Sequence, residues 1–290
     1  MLKSAPIRYA IYGTLLIVLS EVVYGSCRSL KNWYNRNKKI RKPKELWALI
    51  LTNELSPLCS AKHQANSRKP SAISLNSRRA LDKIKIIERA PVCANPYCMD
   101  SNVDLIVDLL NATQYSIDLA MFVITSIPIA EALVKAHKRG VIVRVIANNT
   151  GALSISSECL YIIKYGIATR FNSEKLMHHK FCILDSPSTA KHFFRKENIL
   201  INGILEDINN KSSILMTGSA NWTVQGFCSN YENILLTNQK QLIENYSNEF
   251  QRMWKLFAPS LPRNAGSVVT FAYRLSVNRR SDKPYHKKDI

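Results

Sequence analysis

Acidic residues are scarce in this 290-residue chain: 21 Asp+Glu stand against 40 Lys+Arg, giving a formal net charge of +19. That imbalance implies attraction to polyanions, either nucleic acid or an anionic membrane face, and does not separate the two. Cysteine is sparse and odd in number: Cys27, Cys59, Cys93, Cys98, Cys159, Cys182 and Cys228. The scatter excludes the dense disulfide framework of a small secreted domain and suits a reducing compartment. Cys159 and Cys182 lie in apolar runs and read as core thiols. An internal repeat is also lacking, so no segment of the chain supplies a second copy of another.

The hydrophobic stretch at residues 7–24, "IRYAIYGTLLIVLSEVVY", is interrupted by Arg8 and Glu21. It lies at the short end of the roughly 20 residues a membrane-spanning helix needs. A cleaved signal peptide and a buried soluble helix are the competing readings. The segment from Arg28 to Lys44 is dense in Lys and Arg, which favours leaving that side of an anchor in the cytosol and could hold anionic head groups. The expected organisation is a transmembrane signal anchor over 1–27, a basic linker over 28–90, a globular domain over 91–260 and a basic tail over 261–290. Residues 60–85 are rich in Ser, Lys, Arg and Asn with little periodicity, and read as linker.

From about residue 100 the pattern becomes globular. "VDLIVDLLNATQ" has helical spacing, "SIDLAMFVI" reads as a strand, and "IPIAEALVKAHKRG" as a helix closed by Gly140. "VIVRVIAN" then gives strand–helix–strand with short connections, the signature of parallel pairing. "KFCILD", "SSILMTGSAN" and "YENILLTN" read as further strands. Leu242, Tyr246, Phe250, Met253, Trp254 and Phe257 recur every three or four residues, marking an amphipathic helix that lies on the sheet. The expected fold is α/β, a mixed and largely parallel sheet flanked by helices.

Chemistry concentrates in "MHHKFCILD", where His178-x-Lys180 is followed, after four intervening residues, by Asp185. After a 32-residue interval comes "GSAN", with Ser219 and Asn221, and then Glu232. Imidazole titrates near neutral pH and can act as nucleophile or acid. Lys180, two positions on, shares a strand face with His178, whereas His179 points the other way. Lys180, Ser219 and Asn221 can hold the oxygens of a phosphodiester, and Glu232 can orient an imidazole. A metal-binding His178/His179 pair is the competing reading, but further ligands at compatible spacing do not stand out.

These stretches, with "ENILL" and "EFQRMWKLF", resemble the phospholipase D superfamily, whose signature is H-x-K-x-x-x-x-D followed by G-S-x-N. Within it they look like the Zucchini, or mitochondrial phospholipase D, branch. The resemblance covers residues 100–258 well and the preceding region loosely. It implies a phospholipase D-like fold, a phosphohistidine at His178 and catalytic roles for Lys180, Asp185, Ser219, Asn221 and Glu232. It further implies no cofactor for catalysis, and a homodimer that brings His178 of each subunit into one cleft, since the chain holds a single copy of the motif. It places the protein on the mitochondrial outer membrane, with the catalytic domain facing the cytosol.

The interval 186–217 is longer than the superfamily pattern and is expected to bulge as a surface hairpin. The branch carries a small structural zinc site. Here the tight cluster of the family is missing, and Cys59, Cys93 and Cys98 are the better candidates, His63 a weaker one, with unlinked free thiols as the alternative. Two substrates follow from the resemblance: single-stranded RNA, as in piwi-interacting RNA production, or cardiolipin, an anionic phospholipid. Lys135, Lys138, Arg139, Arg144, Lys191, Arg195 and Lys196 could follow a phosphate backbone. A membrane-tethered nucleic-acid-binding scaffold with a vestigial site is the non-enzymatic reading.

Overall fold

The computed structural model describes residues 5–37, 45–59, 83–88, 93–154, 156–172, 175–196 and 213–257. The chain divides into two compact units, Met1–Lys44 and Glu45–Ile290. The first is helix α1, Ala5–Asn37, about 50 Å long at the α-helical rise. Its stretch Tyr12–Trp33, 22 residues with mean hydropathy 1.2 and exposed side chains, is long and apolar enough to cross a membrane. The helix runs ten residues past position 27, where the anchor was expected to end. Arg28–Asn37 holds no proline, and its Lys, Arg, Leu and Trp tolerate helical geometry.

The second unit is built on a seven-stranded sheet in the order β1-β7-β6-β5-β2-β3-β4. The strands are β1 Trp47–Thr52, β2 Ser116–Met121, β3 Ile142–Ala147, β4 Ala168–Phe171, β5 Lys180–Leu184, β6 Ile214–Gly218 and β7 Glu232–Thr237. The sheet is mixed, as expected, but parallel pairing is confined to β2, β3 and β4. The four other pairings are antiparallel, so "largely parallel" does not describe it. The strand–helix–strand pattern of residues 116–147 did indicate parallel pairing correctly. β5 instead follows β4 and inserts beside β2 in the opposite sense, a choice set by tertiary packing.

The described helices of this unit are α2 Lys83–Ile87, α3 Met99–Ala112, α4 Ile127–Lys138, α5 Asn149–Ala152, α6 Cys159–Lys164, α7 Pro187–Lys196, α8 Val224–Cys228 and α9 Lys240–Leu256. Pro128 opens α4 in the first turn, where its missing N–H costs nothing, and Gly140 turns the chain at φ +88°. The two sheet faces carry separate cores. Leu119, Met121, Cys182, Leu184, Met216 and Leu236 pack on one side with α3 and α4. Ala120, Phe181, Ile183 and Leu215 pack on the other with Ile243, Phe250 and Met253 of α9.

Two segments differ from the sequence reading. The supposed linker 28–90 contains edge strand β1, paired along its full length with β7, and helix α2. A six-residue strand preceded by a basic run is hard to see without its partner. The interval 186–217 opens as helix α7 rather than as a strand of a hairpin, and its last residues belong to β6. The tail 261–290 and His63 lie outside the described residues.

Candidate active site

Because β2, β5, β6 and β7 pair antiparallel in sequence, the end of β2, the start of β5, the end of β6 and the start of β7 meet at one end of the sheet. Lys180 arrives there at the start of β5 with His178 just before it, Ser219 and Asn221 just after β6, and Glu232 on β7. Phe181 sits opposite Thr217, so Lys180 falls opposite Gly218. Gly218 in turn lies opposite Ile234. The five residues therefore share one edge although they span 55 positions of sequence.

The Lys180 ammonium lies 2.9 Å from Nδ1 and 3.0 Å from Nε2 of His178, and donates to the His178 carbonyl at 2.8 Å. Near-equal distances to two divergent lone pairs place the cation over the ring rather than at one nitrogen. Phe122, just past β2, packs on the same imidazole with centroids 5.1 Å apart. His178 is exposed while Lys180 is buried. Burial pulls the Lys180 ammonium below the ordinary lysine value, and the Glu232 carboxylate opposes this. The two charges thus act on each other across the strand ends. His179 faces α9, with Nε2 3.8 Å from Glu249 and its ring against Phe181. It is held below the ordinary histidine value chiefly by burial.

The G-S-x-N turn is fixed by close backbone approach. A Cβ on Gly218 would lie 2.0 Å from the Asn233 carbonyl oxygen, so only glycine fits. Ser219 and Asn233 then bond reciprocally, Ser219 N–H to Asn233 O and Asn233 N–H to Ser219 Oγ, both 3.1 Å. Trp222 accepts from the N–H groups of Thr125 and Ser126 and is buried, which pins the turn to the segment after β2. Asn221 Oδ1 is buried and has no hydrogen-bond partner among the described residues. A buried amide oxygen without a partner is costly, which marks Asn221 as the unsatisfied polar group of this turn.

Asp185 does not join this group. It closes the opposite end of β5, five residues from Lys180, or about 17 Å along an extended strand. Its carboxylate accepts from the N–H groups of Gln114, Tyr115 and Ser116 and pairs with Lys83 at 2.5 Å, both side chains being buried. Asp185, expected to share in catalysis as part of the motif, therefore stands apart from the residues gathered around His178. Its place, at φ +52°, is the stop of β5. The basic side chains expected to guide a backbone also lie elsewhere. Lys135, Lys138 and Arg139 end α4, which runs away from the site end. Lys191 and Arg195 sit on α7, beyond Asp185, and Arg144 is spent on Asp118 at 2.7 Å. Lys196 closes α7 as well.

Sequence inspection missed a group of amides that holds the approach to His178. Asn148, buried at the end of β3, accepts from the Met177 N–H at 3.1 Å and donates to Thr150 Oγ1 at 2.6 Å. Asn172 accepts from the Asn149 N–H at 3.0 Å and donates to the Lys175 carbonyl at 2.5 Å. The only sequence signal was polar residues clustered after two apolar strands.

Away from the sheet end, the Sγ atoms of Cys59, Cys93 and Cys98 lie within 4.8 Å of one another. Sulfurs bound to one zinc at about 2.3 Å in a tetrahedron stand about 3.8 Å apart, so this soft donor set fits that ion. Burial pushes the Cys59 thiol up to about 11. For Cys98 burial acts in the same sense but is outweighed by hydrogen bonds from Ser101, Cys59 and Cys93, which leave it below the ordinary thiol value.

Comparison with known proteins adds three findings. The family described as "Cardiolipin synthase, PLD-like domain" matches residues 106–254. A mitochondrial cardiolipin hydrolase of Drosophila melanogaster is 32% identical over 251 residues, covering 86% of this chain and 91% of that protein. That of Xenopus laevis is 33% identical over 169 residues, 58% of this chain and 68% of the relative. Among solved structures, Nuc of Salmonella typhimurium, a phospholipase D family member, aligns at 23% identity and a TM-score of 0.43, covering 55% of this chain and 90% of that one.

Proposed function

The chain belongs to the phospholipase D-like family, and from that premise we propose that it is a phosphodiesterase whose nucleophile is His178. The observation that carries the reading is the Lys180 ammonium set over the His178 ring at the sheet end that also receives Ser219, Asn221 and Glu232. An imidazole nitrogen attacks phosphorus, the P–O bond to the leaving group breaks, and the departing oxygen takes a proton from His178 of the partner subunit in a homodimer. Water then attacks the phosphohistidine, giving its proton to that same partner imidazole and freeing His178. Lys180, Ser219 and Asn221 hold the non-bridging oxygens as charge builds in the transition state. Glu232 orients the imidazole of one subunit.

Single-stranded RNA is the substrate we favour, in line with piwi-interacting RNA production. The site is an open strand edge on which His178, Ser219 and Asn233 are exposed. Tyr231, 78% exposed, offers a ring on which a base can stack. The second reading is cardiolipin hydrolysis, for which the relatives are named. Leu176 and Val224, exposed beside the motif residues, supply apolar surface that acyl chains would use. Helix α1 is read as a single membrane anchor, at the mitochondrial outer membrane with the catalytic unit in the cytosol. Cys59, Cys93 and Cys98 would hold a structural zinc ion that ties the turn after β1 to the start of α3.

The test offers the purified protein single-stranded RNA and cardiolipin vesicles side by side, with His178→Asn as control. RNA cleavage lost in the control and no phosphatidic acid from either protein is the expected result. Phosphatidic acid formation that depends on His178, with RNA left intact, would hand the site to the lipid reading. Indifference to the substitution in both assays would leave a scaffold.

A further inference from the structure

The end of the sheet remote from His178 carries its own surface. β1, β2, β3, β4 and β6 begin there, β5 and β7 stop there, and the helices leading into β3 and β4 finish there. Lys135 and Lys138 come from the last turn of α4, Lys164 from the last turn of α6, and all three are exposed. Helix α7 lies across the same end, starting beside Asp185 and returning Phe194 to the ring of Tyr115, which precedes β2. It adds Lys191 and the exposed Arg195.

Lysines at helix C-termini are ordinarily explained by the helix dipole, and Arg139 is accounted for by the carbonyls of Leu110 and Thr113. The dipole covers Arg195 in the last turn of α7 as well, but not Lys191 in mid-helix or the half-exposed Phe193. Phe193 and Tyr165, 38% and 39% exposed, stand among the cations, and Lys138 lies 4.8 Å over the Tyr165 ring. Aromatic rings interleaved with basic heads suit the head-group layer of a bilayer. Acidic side chains at this end include Glu45 beside β1 and Asp108 one turn before the end of α3. The chain also enters the unit here, at Trp47, after the basic run of residues 38–44.

We infer that this distal end is a docking surface for an anionic phospholipid bilayer, which leaves the candidate active site presented on the side turned away from that bilayer. The inference rests on the reading of the protein as a membrane-anchored phosphodiesterase and deepens it. A site held one strand length above the lipid meets a soluble phosphodiester such as RNA more readily than a head group in the same membrane. Each basic side chain near an anionic surface adds roughly fivefold to its partition.

The test is amide hydrogen exchange on the full chain reconstituted in vesicles of phosphatidylcholine alone or phosphatidylcholine with phosphatidylserine. Exchange over residues 135–140 and 187–195 should slow severalfold only with phosphatidylserine, and recover in high salt. Residues 177–180 and 219–223 should not respond. The triple variant Lys138→Glu, Lys191→Glu, Arg195→Glu should lose the protection while still cleaving bis(p-nitrophenyl) phosphate, which shows that it is folded. The same exchange in both vesicle types, protection at the site end, or protection of the distal segments by single-stranded RNA in place of lipid would each overturn the inference. Flotation with phosphatidylcholine vesicles and cleavage of the soluble diester report the anchor and the active site separately. Failure of either therefore leaves the docking result readable on its own.

Discussion

At the scale of single residues, the H-x-K-x-x-x-x-D signature divides into two jobs at opposite ends of one short strand. His178 and Lys180 face the cleft, while Asp185 gathers three backbone N–H groups and Lys83 in a buried corner. Removing one partner of a buried ion pair leaves the other uncompensated, at a cost of about 3–5 kcal/mol. Asp185→Ala is therefore expected to lower the unfolding midpoint sharply in a denaturant titration. The folded fraction should turn over at the wild-type rate, and a large fall in kcat with unchanged stability would contradict this assignment.

Lys180 gives a pH prediction. Its ammonium is the form that holds phosphate oxygens, and burial favours losing the proton, so its pKa is below the ordinary 10.5. Activity should accordingly fall on the alkaline side before an ordinary lysine would titrate. In Lys180→Arg, whose guanidinium stays charged, that limb should vanish from the residual activity. An alkaline limb unchanged in the arginine variant would mean that another group titrates.

At the scale of elements, the site depends on how tightly β6 and β7 approach. Gly218 permits an approach that any side chain would block, and the reciprocal Ser219–Asn233 bonds follow from it. A zinc ion on Cys59, Cys93 and Cys98 would join the turn after β1 to the N-cap of α3, where the Ser101 N–H also reaches Cys98 Sγ at 3.4 Å. Purified protein should carry about one zinc per chain by elemental analysis, and chelation should lower its melting temperature. Metal-free protein that melts at the same temperature with and without chelator would restore the reading as free thiols. The β1 edge also shows why residues 28–90 misled. Trp47, Leu49 and Leu51 are exposed while Ala48 and Ile50 meet the main core, so the run is apolar on both faces and lacks the alternation that marks a half-buried strand.

At the scale of the whole molecule, the single copy of the His178 motif per chain is the reason a shared cleft is proposed. If each cleft needs His178 from both protomers, a dimer with one His178→Asn subunit is dead. Mixing equal amounts of wild type and variant, with subunit exchange, should leave about one quarter of the activity of the same total protein as wild type. Half the activity would mean that each protomer works alone. The distal surface extends the same argument outward, since the fold puts the candidate site and the basic, aromatic surface at opposite ends of one sheet.

The motif residues, the strand–helix–strand core around β2 and β3, the amphipathic α9 and the apolar α1 were legible in the sequence, because residue type and short-range periodicity encode them. His179 could also be set aside in advance, since alternation along a strand sends neighbours to opposite faces. Register and strand order could not be read this way. They arise from long-range pairing, and only that pairing brings Ser219 beside Asn233, sends Asp185 away from the cleft and turns Asn148 toward Met177. The basic residues of α4 and α7 carry the same charge wherever they lie. Which end of the sheet they occupy is decided by the direction in which each helix returns the chain.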